Sequence, residues 1–214
     1  MSEFQYTCRR LTADGKLSLP LDPVQWESAQ EVELREVVTG DKPRLATVVR
    51  AAWNDWGVYY RFVCEDDEIV SNMTQRDDPI YDEDVVEVFM SVDGDLSRYF
   101  EFEFSPTNVQ FDAKIVNNLQ DPKGSQLTVD TSWDSAELTS WVEVDLGNRR
   151  TVFEIAIPAA DLLDGKSIQA GDTWRTNLYR IDRKPEGQDE YTAWSPTGIV
   201  RFHIPWRFGT FVFE

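Results

Sequence analysis

Two cysteines and one histidine in a chain of 214 residues remove several chemistries at once. Cys8 and Cys64 are too few for a disulfide framework and wrongly spaced for a zinc site, so they read as packing residues or idle thiols. With His203 alone, a His-rich metal cage is excluded and a Ser-His-Asp device has little room. Alternation in "VRFHIP" places His203 on a strand, partly buried. No apolar run is long enough to cross a bilayer, and "MSEFQYTCRRLTADG" lacks the apolar core of a secretory signal. As written, the chain reads as cytoplasmic; an extracellular or periplasmic site requires a leader that has been removed. Basic charge is also scarce. Lys and Arg number 21 against 39 Asp and Glu, giving a formal net charge of -18 and a pI near 4.4. Such a surface gains nothing from counterion release, which argues against nucleic acid and anionic membranes as partners. Cations and neutral polar ligands remain open.

What the chain has in quantity is period-two alternation. "RLATVVRAAW", "VYYRFVCE", "DVVEVFMSV", "RYFEFEFS", "SWVEVDLG", "RTVFEIAIP", "TWRTNLYRI" and "FGTFVFE" all read as short strands. Between them lie "TGDKP", "NDWG", "DGDLS", "SPTN", "QDPKG", "LGNRR", "KPEGQDE" and "SPTG", groups rich in Gly, Pro, Asp and Asn that turn the chain. Helical turns are predicted only around "AQEVELREVV" and after Pro158 in "PAADLL". No linker divides residues 1–214, so the expected fold is all-β: a single-domain antiparallel β-sandwich with one or two short helical turns.

The pair "DVVEVFMSV" and "RYFEFEFS" is joined by "DGDLS", whose Asp93-Gly94 is a hairpin signal. Folded about that loop, Val86 faces Phe104, Val88 faces Phe102 and Met90 faces Phe100, an apolar side. The other side sets Glu87 opposite Glu103 and Phe89 near Glu101. Burying the Phe row makes a one-residue slip expensive, so the glutamates share the outer face. Like charges directly opposite repel by up to about 1 kcal/mol. A solvated face, a cation site, and a platform of acceptors for a polyhydroxylated ligand all fit this row. Arg98, Arg180 or Arg201 could compensate from neighbouring strands.

Aromatic residues make up 13% of the chain, with eight tryptophans. Several stand outside the alternating runs: Trp53 and Trp56 beside "NDWG", Tyr81 ahead of the acidic strand, and Trp194, Phe202 and Trp206 near the C-terminus. Pyranose rings stack on aromatic faces while their hydroxyls pair with carboxylates, amides and guanidinium groups, so such rings beside Glu are the chemistry of a sugar site. A glycoside hydrolase is the enzymatic rival, since cross-strand glutamates stand about 5 Å apart, as a retaining mechanism needs. Glutamates fronting each other on a regular hairpin, however, lack the asymmetry that splits two carboxyl pKa values into acid and base. Oxygen-rich loops carrying Asp66 and Asp67 in "CEDDEI" and Asp84 in "DDPIYDEDV" are candidates for structural calcium, without EF-hand spacing.

"WGVYYRFVCEDDEI", "RDDPIYDEDVVEVFMSVDG", "YFEFEFSPTN", "FEIAIPAADL", "GDTWRTNLYRID" and "WSPTGIVRFHIPWRFGTFVF", in that order, resemble the family 9 carbohydrate-binding modules from about residue 44 onward. The resemblance implies a jelly-roll sandwich of a kind often appended to bacterial xylanases, which clasps sugar chain ends between two aromatic rings and is stabilised in some members by calcium. It places Tyr81 at one stacking position, Phe202 at the other, and Glu87 at the glutamate that binds sugar hydroxyls. Glu103 and Ser105 stand where sugar-binding members have arginine and asparagine, and both stacking rings are tryptophan in the family. The resemblance thus implies non-catalytic binding of a mono- or oligosaccharide by Tyr81, Glu87, Glu103, Ser105 and Phe202, helped by Trp194 or Trp206. A stand-alone interaction module is the alternative. Related sandwich domains hold haem through Met and His, for which Met90 and His203 would be the candidates, but the hairpin pairing turns Met90 into the core.

Overall fold

Alternation resolves into strands wherever two neighbours are available to pair with. The computed structural model describes residues 4–120, 126–184 and 188–214; the turns in "QDPKG" and "KPEGQDE" fall partly outside the described residues. The strands are β1 (Gln5–Arg10), β2 (Glu31–Glu33), β3 (Arg35–Glu36), β4 (Thr47–Trp53), β5 (Gly57–Glu65), β6 (Val85–Ser91) and β7 (Arg98–Phe104). They continue with β8 (Gln110–Asn117), β9 (Leu127–Asp130), β10 (Thr139–Asp145), β11 (Arg150–Pro158), β12 (Thr173–Asp182), β13 (Glu190–Ala193) and β14 (Gly209–Phe213). A four-residue helix, α1 (Ala159–Leu162), follows Pro158 as its sequence predicts.

Two sheets face each other. One runs β10-β11-β5-β4 and the other β14-β12-β6-β7-β8-β9, with β13 added to β12. Strand β1 joins them: Gln5 to Cys8 run parallel to β14, and Arg9 and Arg10 run parallel to β4. The expected antiparallel sandwich therefore holds with two parallel pairings at its seam. Between the sheets lie Val49, Phe62 and Ile155 from one side and Val88, Phe102 and Phe211 from the other, all fully buried. Each such side chain contributes about 1.5–3 kcal/mol. Cys8 and Cys64 are free buried thiols, as the packing reading has it. No helix among the described residues is long and apolar enough to cross a membrane.

The predicted helix at "AQEVELREVV" is corrected to strands β2 and β3. The open edge of β4 supplies a ladder for Glu31 to Glu33, and burial of Leu34 in the core outweighs the helical propensity of a Glu-rich run. His203 is corrected as well: it sits in the loop ahead of Pro205–Arg207 and not on a strand.

The outer faces of the two sheets differ, and that difference positions the site. On the β4-β5-β11 face, Leu11, Leu21 and Trp26 fold back over Ala52, Tyr59 and Ala156 and close it. On the β12-β6-β7-β8 face, Phe89, Tyr99, Phe111 and Tyr179 form a second apolar layer, covered only in part by Ile80, Phe202 and Phe208 from flanking loops. At the seam, Trp194 packs edge-on against Phe211, with ring centroids 5.5 Å apart, and lies over Gly209. A Cβ on Gly209 would overlap the Trp194 ring and come within 3.0 Å of the Phe4 carbonyl oxygen. Gly209→Ala is therefore expected to destabilise the protein by about 1–3 kcal/mol, the usual cost of overpacking. An unchanged urea midpoint would show that the ring can move aside.

Candidate functional site

The site starts from the register of β6 and β7. Glu87 pairs with Glu103, Val88 with Phe102 and Phe89 with Glu101, as the alternation requires. With the phenylalanines drawn into the core, Glu87, Glu101 and Glu103 project together from the opposite face of the same sheet. That face is not the solvated wall the sequence suggests. Glu87 is 2% exposed, Glu101 5% and Glu103 0%, because the loops that carry Tyr81 and Phe202 roof the sheet. The three form the floor of a cleft of about 580 Å³.

One carboxylate oxygen from each of the three lies within 4.8 Å of the other two. Burial pushes all three acids upward, Glu101 to about 8, and repulsion within the group adds to it at Glu87 and Glu103, which stand well above the ordinary carboxylate range. Among the described residues, no N–H or O–H reaches either oxygen of Glu103. Glu101 can serve as its hydrogen-bond partner only when one of the two is protonated. Glu101 was legible in the same period-two row, but only the roofing loops make it part of the floor.

The walls are aromatic. Tyr81, on the turn Ile80–Asp82, is 43% exposed and stands edge-on to Phe111 at a centroid distance of 6.0 Å. Buried Ile80 anchors this turn in the second apolar layer. Phe202 lies flat on Tyr179, 4.1 Å between centroids at 9°, and the Tyr179 hydroxyl donates to its carbonyl at 2.9 Å. That stacking uses one face of Phe202 and leaves the ring 8% exposed. Tyr81, Glu87, Glu103 and Phe202 line one cleft. Arg183 and Arg201 line it too. Arg98 instead pairs with Asp93 and Asp95 in the hairpin loop, and Arg180 is held between Asp66 and Asp182.

Other expected residues lie elsewhere. Ser105 is buried in a turn, its hydroxyl accepting from the Val109 amide at 3.0 Å. Trp194 belongs to the inter-sheet core, and Trp206 is not among the residues lining the cleft. Neither tryptophan can stack on a ligand there, because long-range packing at the seam claims the first and the second sits on the turn Pro205–Arg207. Asp66, Asp67 and Asp84 do not converge on a common point among the described residues. Arg180 lies 3.4 Å from Asp66; Arg44 and Lys184 bind Asp67 at 2.7 and 2.5 Å; and Asp84 accepts from the Val70 and Arg183 amides. The acids that do converge are the three glutamates of the floor and a group of Asp77, Asp112 and Asp134, which Arg76 already bridges. Met90 faces the inter-sheet core while His203 packs on Phe89 over the opposite face, so the two cannot share a haem.

The family model described as "Carbohydrate family 9 binding domain-like" matches residues 21–214. A protein of Arthroderma benhamiae described as an extracellular protein is 26% identical over 213 residues, covering 94% of this chain and 91% of its own length. A solved structure from Bacteroides uniformis superposes with a TM-score of 0.78 at 18% identity and covers 99% of each chain. A carbohydrate binding module of family 9 from Caldicellulosiruptor kristjanssonii, in complex with cellotriose, gives a TM-score of 0.70 at 12% identity over 98% of this chain and 93% of its own. The same organism's module in complex with glucose gives 0.66 at 12% identity, over 97% and 95%.

Proposed function

Since this chain belongs to the carbohydrate family 9 binding domain-like family, we propose that the cleft between Tyr81 and Phe202 holds a pyranose unit of a sugar chain and leaves its bonds intact. The observation that carries this reading is the convergence of two aromatic rings and three carboxyl groups on one cavity, with ring faces for C–H patches and acceptors for hydroxyls. Catalysis is not part of it. A retaining glycosidase needs one acid ionised as nucleophile while its partner stays protonated, whereas here all three are pushed upward together. Neighbours bound to cellotriose and glucose support a gluco-configured ligand; xylan chains, with the same ring lacking the hydroxymethyl arm, are the second class to test. A relative described as extracellular supports a site of action outside the cell over the cytoplasmic reading.

Tryptophan fluorescence is a poor reporter, because no tryptophan lines the cleft. Calorimetric titration with cello- and xylo-oligosaccharides is the suitable measurement. Tyr81→Ala should weaken binding on the order of tenfold, the value of one lost stacking face. No heat with either series at millimolar concentration would favour the interaction-module alternative.

A further inference from the structure

Elsewhere this fold does not leave a buried carboxylate alone. Glu154, 0% exposed on the closed face, meets Arg61 and accepts from the Leu21 amide at 2.6 Å and Trp26 Nε1 at 3.2 Å. Asp112 meets Arg76 and accepts from the Ser135 amide at 2.6 Å. Glu103 is equally buried, yet both its oxygens lack a donor, and two more carboxyl groups crowd it. Such a cluster costs several kcal/mol unless something positive or a proton offsets it.

Among the described residues no cation donates to Glu103, and Arg183 adds only a coulombic pull on Glu87. Arg183 is committed to Asp189 at 2.8 Å, to the Tyr191 hydroxyl at 2.5 Å and to the Tyr81 carbonyl at 2.8 Å. Arg201 acts on Tyr99 and on His203, which burial and that arginine hold down at about 4 and so keep neutral. His203 Nε2 is 3.7 Å from Glu101, beyond hydrogen-bond reach, and its Nδ1 is taken by the Tyr99 hydroxyl at 2.9 Å. Asp82 adds a further negative charge at the rim, while burial pushes the Tyr81 and Tyr179 hydroxyls up and keeps them neutral; β8 packs Phe111, Ala113 and Ile115 on this side.

Resting on the sugar reading above, we propose that the cleft selects sugars with a free amine: a 2-amino-2-deoxyhexose whose ammonium sits against Glu87, Glu101 and Glu103 while its ring lies against Tyr81. An ammonium offers three donors in a compact head, matching three acceptor oxygens within 4.8 Å of one another. A formal charge of -18 attracts a polycationic glycan from a distance. Because the floor acids hold protons at neutral pH, an incoming ammonium displaces them, whereas a neutral sugar does not.

The test uses three β-1,4-linked tetramers that differ only at carbon 2: glucosamine, N-acetylglucosamine and glucose. Calorimetry in about 0.5 M salt screens the general attraction of a polycation to an acidic surface. The glucosamine tetramer is expected to bind about tenfold or more tighter than the other two, with proton release read from buffers of differing ionisation enthalpy. Glu103→Gln and Glu101→Gln should each bring the glucosamine-to-glucose affinity ratio close to one, with urea midpoints confirming that both variants fold. Equal affinity for the three tetramers, or a preference that vanishes at high salt, overturns the proposal and leaves the sugar reading standing. Failure of all three to bind, and of xylotetraose beside them, overturns both. Stabilisation by calcium or manganese chloride that is lost in Glu103→Gln overturns the amine assignment and gives the floor to a metal ion.

Discussion

Arg180→Ala lowers the unfolding free energy by about 3–5 kcal/mol, the cost of stranding buried charge. Arg180 is 5% exposed on β12, yet its guanidinium donates to Glu65 O at 2.7 Å and Thr47 Oγ1 at 3.2 Å in the facing sheet. It also donates to Asp182 Oδ2 at 2.6 Å and lies 3.4 Å from Asp66 Oδ2. One side chain thus ties the two sheets together at the end where a calcium site was expected. Removing it leaves Asp182 with Lys184 at 3.0 Å and Arg44 at 3.5 Å, but leaves Asp66 with uncharged partners, the Thr151 hydroxyl at 2.9 Å and the Glu68 backbone. Asp66 is the more exposed to the loss, since burial already pushes its carboxyl upward against the pull of Arg180. The double variant Arg180→Ala, Asp66→Asn should therefore cost less than the sum of the two single changes. Urea unfolding of the four proteins measures this; a loss under about 1 kcal/mol for Arg180→Ala would mean water replaces the guanidinium at little cost.

The same contrast between local pattern and distant partner explains how much of the molecule was legible. Strands β6 and β7, their register, and the convergence of Glu87 with Glu103 follow from alternation alone, because a slip would expose Phe100, Phe102 and Phe104. Strands β1 and β8 carry the same signal in Tyr6 and Cys8, and in Phe111, Ala113 and Ile115, but their short apolar rows stand beside charged residues, which weakens the alternation. What no local window holds is the roof. Whether a glutamate on an outer face meets water depends on Ile80, on the turn just before β6, and on Phe208, which docks from far along the chain. Trp194 and Phe202 illustrate the same limit. Both sit in the aromatic C-terminal segment, and only the close approach of Gly209 to the tryptophan ring sends one to the core and the other to the cleft.

Stability is expected to fall as pH rises from about 5 to 8, the reverse of ordinary acid denaturation. An acid whose folded-state pKa lies above its unfolded one binds its proton more tightly when folded. Its contribution is therefore whole below the unfolded value, near 4.5 for Glu101, and is lost as pH climbs through the folded value of about 8. At about 1.4 kcal/mol per unit, Glu101 alone gives up on the order of 3 kcal/mol between pH 4.5 and 7. Glu87 and Glu103 act in the same direction, and Asp84 and Asp112, each pushed by burial to about 6, begin the decline at lower pH. Asp67, held near 2 by Lys184 and Arg44, opposes them only below this window, whereas His203, held down at about 4 by burial, gains stability as pH rises toward 6.5 and offsets part of the decline in its lower half. Shedding protons from a surface already at -18 adds a general repulsion of the same sign, so Glu101→Gln should flatten the slope in part and raise stability at pH 8. Urea midpoints at pH 5, 6, 7 and 8 decide it: a midpoint that is constant or rises with pH would mean that the floor acids ionise freely. The slope also ties the fold to the ligand. If an ammonium is what the floor takes up, saturating glucosamine tetramer should restore at pH 8 part of what deprotonation removes, and cellotetraose should restore less, because only the charged sugar replaces a proton the floor has shed.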